Sequence, residues 1–195
     1  MAYFDWHAEP GYYRDITRHF DPNAKLLDIG CGTGWIANHF ANYTGVDASA
    51  EAVTVARKAG RNVQLSDLET ALPFADESFE AVILKDVLEH LDDPVSAVRE
   101  ARRVLKPGGR IFASAPDAQS WVWDDYTHRR PYSRRAFRLL FSDQGFTIEK
   151  LGYESVLPGT SVVSRWTRRK RRPRLLQLAA WLPFVKRNVW ILARR

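Results

Sequence analysis

Apolar residues in this chain come in short runs separated by stripes at helical spacing. Lys25–Ile29 (KLLDI) is a near-continuous apolar run that stops at glycine, the pattern of a strand covered on both faces. Tyr43–Asp47, Asn62–Leu65, Phe79–Leu84 and Arg110–Ala115 read as further strands. Helices are predicted between them at Trp35–Ala41, Ser49–Ala59 and Pro94–Leu105. In the last of these Val95, Val98, Ala101, Val104 and Leu105 recur at helical spacing, and Pro107-Gly108-Gly109 is expected to stop the helix. Ser133–Gln144 is a predicted helix with a serine N-cap and Gly145 as its stop. Phe146–Tyr153 and Asn188–Ala193 complete the set as strands. Strands alternating with helices imply an α/β fold, a doubly wound and mostly parallel sheet covered on both faces.

Composition narrows the class. At 195 residues, 45% of them hydrophobic and 27% charged, the chain suits one globular domain. Its single cysteine, Cys31, allows no internal disulfide and fits a reducing compartment. No run of about 18 apolar residues is present, so no membrane-spanning helix is expected. The start of the chain lacks an apolar signal core, so a cytoplasmic protein is expected. The net charge of +6 is unevenly spread: from Ser155 onward there are eleven Lys and Arg and no acid, so the first 154 residues carry a net −5. Such asymmetry points to an anionic partner for the C-terminal segment.

The densest chemical signal is Asp28-Ile29-Gly30-Cys31-Gly32-Thr33-Gly34, a strand end running into a glycine-rich turn. In an open α/β sheet, ligands bind outside the carboxyl ends of the strands. The glycines let backbone pass close to a ligand. A dinucleotide turn has the spacing G-x-G-x-x-G and aims a helix N-terminus at a pyrophosphate. Here the spacing is G-x-G-x-G, Trp35 takes the place of the third glycine, and Asp28 favours a cationic amine or sulfonium. Asp47 closes the second strand, where a carboxylate can accept both hydroxyls of a ribose. Asp67-Leu68 follows the third, where an acid can accept an adenine amine while Leu68 packs against the ring.

These motifs resemble the class I S-adenosylmethionine-dependent methyltransferases, in the small-molecule, type 11-like branch that includes quinone-biosynthesis enzymes. LLDIGCGTG is similar to that family's first motif, GVDAS to its second, LPFADESFEAVILKDVLEHLDDP to the region around strand four, and RRVLKPGGRIFASAPD to the stretch entering strand five. The resemblance implies a Rossmann-like seven-stranded sheet whose last strand is inserted antiparallel. It implies S-adenosylmethionine as cofactor, held by Asp28, Gly30, Cys31, Gly32, Gly34, Asp47, Ala48, Asp67 and Leu68, with Lys85 beside it and His90 packed beneath. The expected organisation is an aromatic N-terminal lid (1–20, with Tyr3, Phe4, Trp6, Tyr12 and Tyr13), a cofactor-binding core (21–154), a basic insertion (155–187) and a final strand (188–195).

Methyl transfer from a sulfonium needs orientation above all, and a hydroxyl acceptor also needs a base. The loop WVWDDYTHRRPYS after the fifth strand should overhang the pocket, with His128 as base and Asp125 orienting it or acting itself. A C- or N-methyltransferase of a quinone or metabolite, and a silent relative that binds without turnover, are the alternatives. Asp117, Asp124 and Asp125 offer oxygen ligands, but neighbouring loop acids are ordinarily solvated and no metal is expected. Lys85-Asp86-Val87-Leu88 lacks the motif of nucleic-acid amine methylases, so the expected acceptor is a small molecule or glycan-like hydroxyl and not a nucleic acid. Residues 165–187, bases flanking a short apolar stretch with Trp181 and Phe184, fit an interfacial segment on anionic lipid at the inner membrane face. They also fit a collar for an anionic substrate, an RNA-binding stretch, or a solvated arginine run followed by an amphipathic core helix.

Overall fold

The computed structural model describes residues 14–156 and 186–195. The aromatic residues expected to form a lid, and residues 165–185 of the basic segment, lie outside them. Seven strands form one sheet: β1 (Lys25–Ile29), β2 (Asn42–Asp47), β3 (Val63–Leu65), β4 (Phe79–Lys85), β5 (Leu105–Pro116), β6 (Thr147–Val156) and β7 (Lys186–Arg194). Their order is β3-β2-β1-β4-β5-β7-β6. Pairing is parallel from β3 across to β5, and β7 runs antiparallel to both β5 and β6. The expected sheet, with its antiparallel last strand, is therefore present. The order reverses between β1 and β4, which opens a crevice at their carboxyl ends.

The described residues also form four α-helices, α1 (Arg14–Thr17), α2 (Ala50–Lys58), α3 (Pro94–Val104) and α4 (Arg134–Ser142), and two short 3-10 helices, Trp35–His39 and Ser120–Asp124. Side-chain caps start three of them. Ser49 accepts from the Ala52 N–H, Asp93 from Ser96 and Ser133 from Ala136. α3 buries Pro94, Ala97, Val98, Ala101 and Val104, while Val95 stays 37% exposed. Two apolar cores result. Leu27, Ile29, Val82 and Leu84 face α3 and α4 residues such as Val98, Ala101, Phe137 and Phe141. Leu26, Ala81 and Ile83 pack with Ile16, Ile36 and Val53 on the other side.

Three predicted boundaries move. Trp35–His39 is a single 3-10 helix, because Phe40 already has extended backbone and β2 begins at Asn42. α3 ends at Val104, ahead of Pro107-Gly108-Gly109, which lies inside β5. There the pairing register with β4 shifts between Phe79 and Ala81, so the glycine-rich triplet is a bulge in the strand. The expected insertion loses both ends: β6 runs to Val156 and β7 starts at Lys186.

Candidate functional site

The end of β1 turns sharply. Gly30, Gly32 and Gly34 all have left-handed backbone, with φ of 71°, 52° and 73°. A Cβ on Gly30 would fall 2.3 Å from Val87 Cγ2, so this position is closed to other residues by space as well as by conformation. The turn hangs on β2, since the Gly30 and Cys31 N–H groups both donate to the Val46 carbonyl at 2.8 and 3.0 Å.

Three acids stand at the ends of adjacent strands. Asp28 is buried at 6% exposure and accepts a hydrogen bond from the Tyr43 hydroxyl at 3.0 Å. Desolvation pushes its carboxyl up to about 7; the Tyr43 bond and the Lys85 charge oppose this, and Asp47 adds to it. Asp47 bridges two loops, accepting from the Gly32 N–H at 2.6 Å and the Ser49 N–H at 2.8 Å. Asp67 is exposed and accepts from the Glu69 N–H at 2.9 Å, within the turn that follows β3. Asp28 and Asp47 are thus brought into one electrostatic neighbourhood, and Asp67 lines the same sheet edge. Leu68 packs into the core with Ile29, Val46 and Leu72. Ala48 is exposed beside Asp47.

Cys31 is half-buried, with its Sγ 3.6 Å from the Gly32 carbonyl. Burial and the charges of Asp28 and Asp47 push its thiol well above the usual range, which keeps it protonated. Gly45 makes room for it: a Cβ there would lie 2.7 Å from the sulfur.

Beyond the crevice, β4 ends in a charged cluster. Lys85 Nζ sits 2.6 Å from Asp86 Oδ2, with only 8% of the lysine side chain exposed. Asp86 adopts left-handed backbone (φ 52°) and its Oδ1 accepts from Ser114 Oγ at 2.8 Å and Asn188 Nδ2 at 3.0 Å. Glu89 is buried at 1% exposure, and desolvation plus the Asp86 charge pushes its carboxyl well up.

The loop after β5 is stapled onto this segment. The Arg129 N–H donates to the Glu89 carbonyl, the Tyr132 hydroxyl to the Leu88 carbonyl, and the Arg129 guanidinium pairs with Asp92. The loop carries His128 to the His90 ring, with centroids 4.8 Å apart. His128 Nδ1 lies 2.7 Å from the Val122 carbonyl. A carbonyl only accepts, so Nδ1 carries the proton and Nε2 is the basic nitrogen. Asp125 Oδ2 stands 3.8 Å from that Nε2, outside hydrogen-bond range. Its Oδ1 is engaged by the Thr127 N–H and hydroxyl at 2.9 and 2.6 Å. The imidazole is therefore oriented by Val122, and Asp125 acts on it only through charge. Tyr43, Asp86, Glu89 and Thr127 belong to the candidate site by their contacts, and none of them was singled out from the sequence. Only the charged interruption Glu89-His90 in an apolar stretch signalled any of them.

Residues 27–113 match the family described as "Methyltransferase domain". Over this stretch the chain is similar to a methyltransferase domain. An uncharacterized protein of Methanocaldococcus jannaschii is 37% identical over 119 residues, covering 61% of this chain and 57% of the relative. The ubiquinone biosynthesis O-methyltransferase of Idiomarina loihiensis is 36% identical over 110 residues, covering 50% of this chain and 45% of the relative. The chain spans about half the length of the curated relatives it matches. The crystal structure of a SAM-dependent methyltransferase from Archaeoglobus fulgidus superposes with a TM-score of 0.72 over 95% of this chain and 92% of that one, at 19% identity. The described chain thus shares its fold with that protein.

Proposed function

We propose that this chain is an S-adenosylmethionine-dependent O-methyltransferase acting on a small-molecule or glycan-like hydroxyl. The observation that carries this reading is His128: its Nδ1 is pinned to a carbonyl, and its basic Nε2 is held by a loop at the carboxyl edge of the sheet. The residues around the glycine turn fit the cofactor. Asp28, a buried acid that accepts a hydrogen bond from Tyr43, suits positive charge, and the glycine turn admits a chain at close range. Asp47 retains lone pairs for ribose hydroxyls beside its two backbone bonds, and Asp67 is exposed to receive an adenine amine. The cofactor supplies a methyl group already activated on sulfur. Nε2 of His128 takes the proton that an acceptor hydroxyl sheds on methylation, with Asp125 and the loop stabilising the imidazolium. The match to ubiquinone biosynthesis O-methyltransferases over half of the chain supports an oxygen acceptor.

S-adenosylhomocysteine release, measured over phenols, phosphorylated sugars and lipid-linked glycans, tests this reading. His128→Ala should lower kcat by about 10²–10⁴-fold with cofactor binding unchanged. Full activity in that variant would mean a carbon or nitrogen acceptor. Failure of any acceptor in a cell extract to become labelled would mean a silent relative.

A further inference from the structure

We propose that Glu89, His90 and His128 form a binding site for one divalent first-row transition-metal ion. One donor atom from each residue lies within 4.8 Å of the others. These residues come from two separate segments, the turn after β4 and the loop after β5. The hydrogen bonds that join those segments hold the three donors in place.

The hydrogen-bond pattern leaves one nitrogen of each imidazole available. His128 donates through Nδ1 to the Val122 carbonyl, so in the neutral ring Nε2 carries the lone pair. His90 Nδ1 lies 3.0 Å from Thr127 Oγ1 and 3.4 Å from the Thr127 carbonyl. The Thr127 hydroxyl proton is already spent on Asp125 Oδ1 at 2.6 Å, so His90 must donate through Nδ1 as well. Its Nε2 is then a bare lone pair too. Glu89 Oε2 is buried and has no hydrogen-bond partner among the described residues. A buried carboxyl oxygen with no partner among the described residues, grouped within 4.8 Å of a donor atom on each of two histidines, suits a bound cation.

The supports are those of a metal site. Each imidazole anchors its second nitrogen on an oxygen, which fixes tautomer and ring direction. Two histidines and one carboxylate suit zinc, manganese, iron or cobalt, whereas magnesium and calcium prefer oxygen alone. Metal bonds of about 2.1 Å place tetrahedral donors about 3.4 Å apart, and small side-chain rotations close the present spacing to that. Three protein ligands leave at least one position for water. The site shares His128 with the proposed reaction but does not depend on methyl transfer. With the ion bound, Nε2 of His128 is a ligand and no longer a base.

The test is direct titration of the full-length, metal-free chain. Cobalt(II) should give visible absorption bands of a nitrogen-ligated site that saturate at one ion per chain. Zinc(II) should compete, and magnesium should not. Glu89→Gln, which keeps the shape of the side chain, and His128→Ala should each weaken cobalt binding at least about tenfold. His39→Ala, at an exposed position far along the sequence, should leave it unchanged. Melting curves check folding and give a second readout: zinc raises Tm of the parent chain and not of Glu89→Gln. Cobalt binding that survives both Glu89→Gln and His128→Ala would overturn the site. So would no bound ion alongside intact methyl transfer, a result that leaves the proposed reaction standing.

Discussion

Asp28 links protonation to both folding and ligand binding. Its carboxyl is raised by burial from 3.8 to about 7, with Tyr43, Asp47, Lys85 and Cys31 as the groups around it. A carboxyl that holds its proton more tightly when folded favours the folded state at low pH. That contribution is complete below 3.8, declines as pH rises toward 7 and is gone above it. Its full span is on the order of 4 kcal/mol, and Asp28→Asn should remove the corresponding slope from a plot of denaturant stability against pH. A cationic ligand needs the ionised form, so the opposite trend holds for binding. Affinity for the cofactor should rise with pH up to about 7 and then level off, while Asp28→Asn stays flat, as calorimetry across that range will show. An equal slope in the variant would assign the titration to another group. Neither the burial of Asp28 nor its bond to Tyr43 was legible in the sequence, because both follow from β1 and β2 being neighbours.

At the scale of elements, the glycine turn depends on a fit between two loops. Gly30→Ala combines a strained φ with a Cβ driven to 2.3 Å from Val87. It should cost about 2–4 kcal/mol, seen as a lower urea midpoint at unchanged slope, and should weaken cofactor binding as the turn shifts. A midpoint equal to the parent's would show that the segment after β4 yields freely. The turn itself was plain in the sequence, since an apolar run meeting alternating glycines has few other uses. The segment at Trp35 was not. Ile36 and Phe40 stand four residues apart as on a helix, yet the short link to β2 leaves room for one turn only. The Pro107-Gly108-Gly109 triplet carries ordinary stop chemistry and could not reveal that the stop falls inside a strand. The cluster of Glu89, His90, Thr127 and His128 was hidden for a different reason: His90 and Thr127 are 37 positions apart and meet only through the folded loop.

For the whole molecule, sheet order collects the chemistry on one edge. Strand ends at β1, β2, β3 and β4, with the loop after β5, supply the residues proposed for cofactor and acceptor, which is why the strand pattern pointed to this edge. The acceptor stayed illegible because it is read by loop side chains whose placement is tertiary. Among the described residues no helix is long and apolar enough to cross a membrane. The charge division between a net-negative body and eleven C-terminal bases nevertheless predicts association with anionic vesicles that falls steeply as salt rises. Co-sedimentation with phosphatidylglycerol and phosphatidylcholine liposomes measures it, and equal, negligible pelleting with both would remove a membrane role. The central claim, that one cofactor spans the strand ends from Asp28 to Asp67, rests most heavily on Asp47, which ties the glycine turn to α2. Calorimetric titration of S-adenosylhomocysteine into the parent chain and Asp47→Ala tests it most directly. One site per chain, weakened at least about tenfold in the variant, is the predicted result. No heat with the parent chain, or equal affinity in a folded Asp47→Ala, would contradict it.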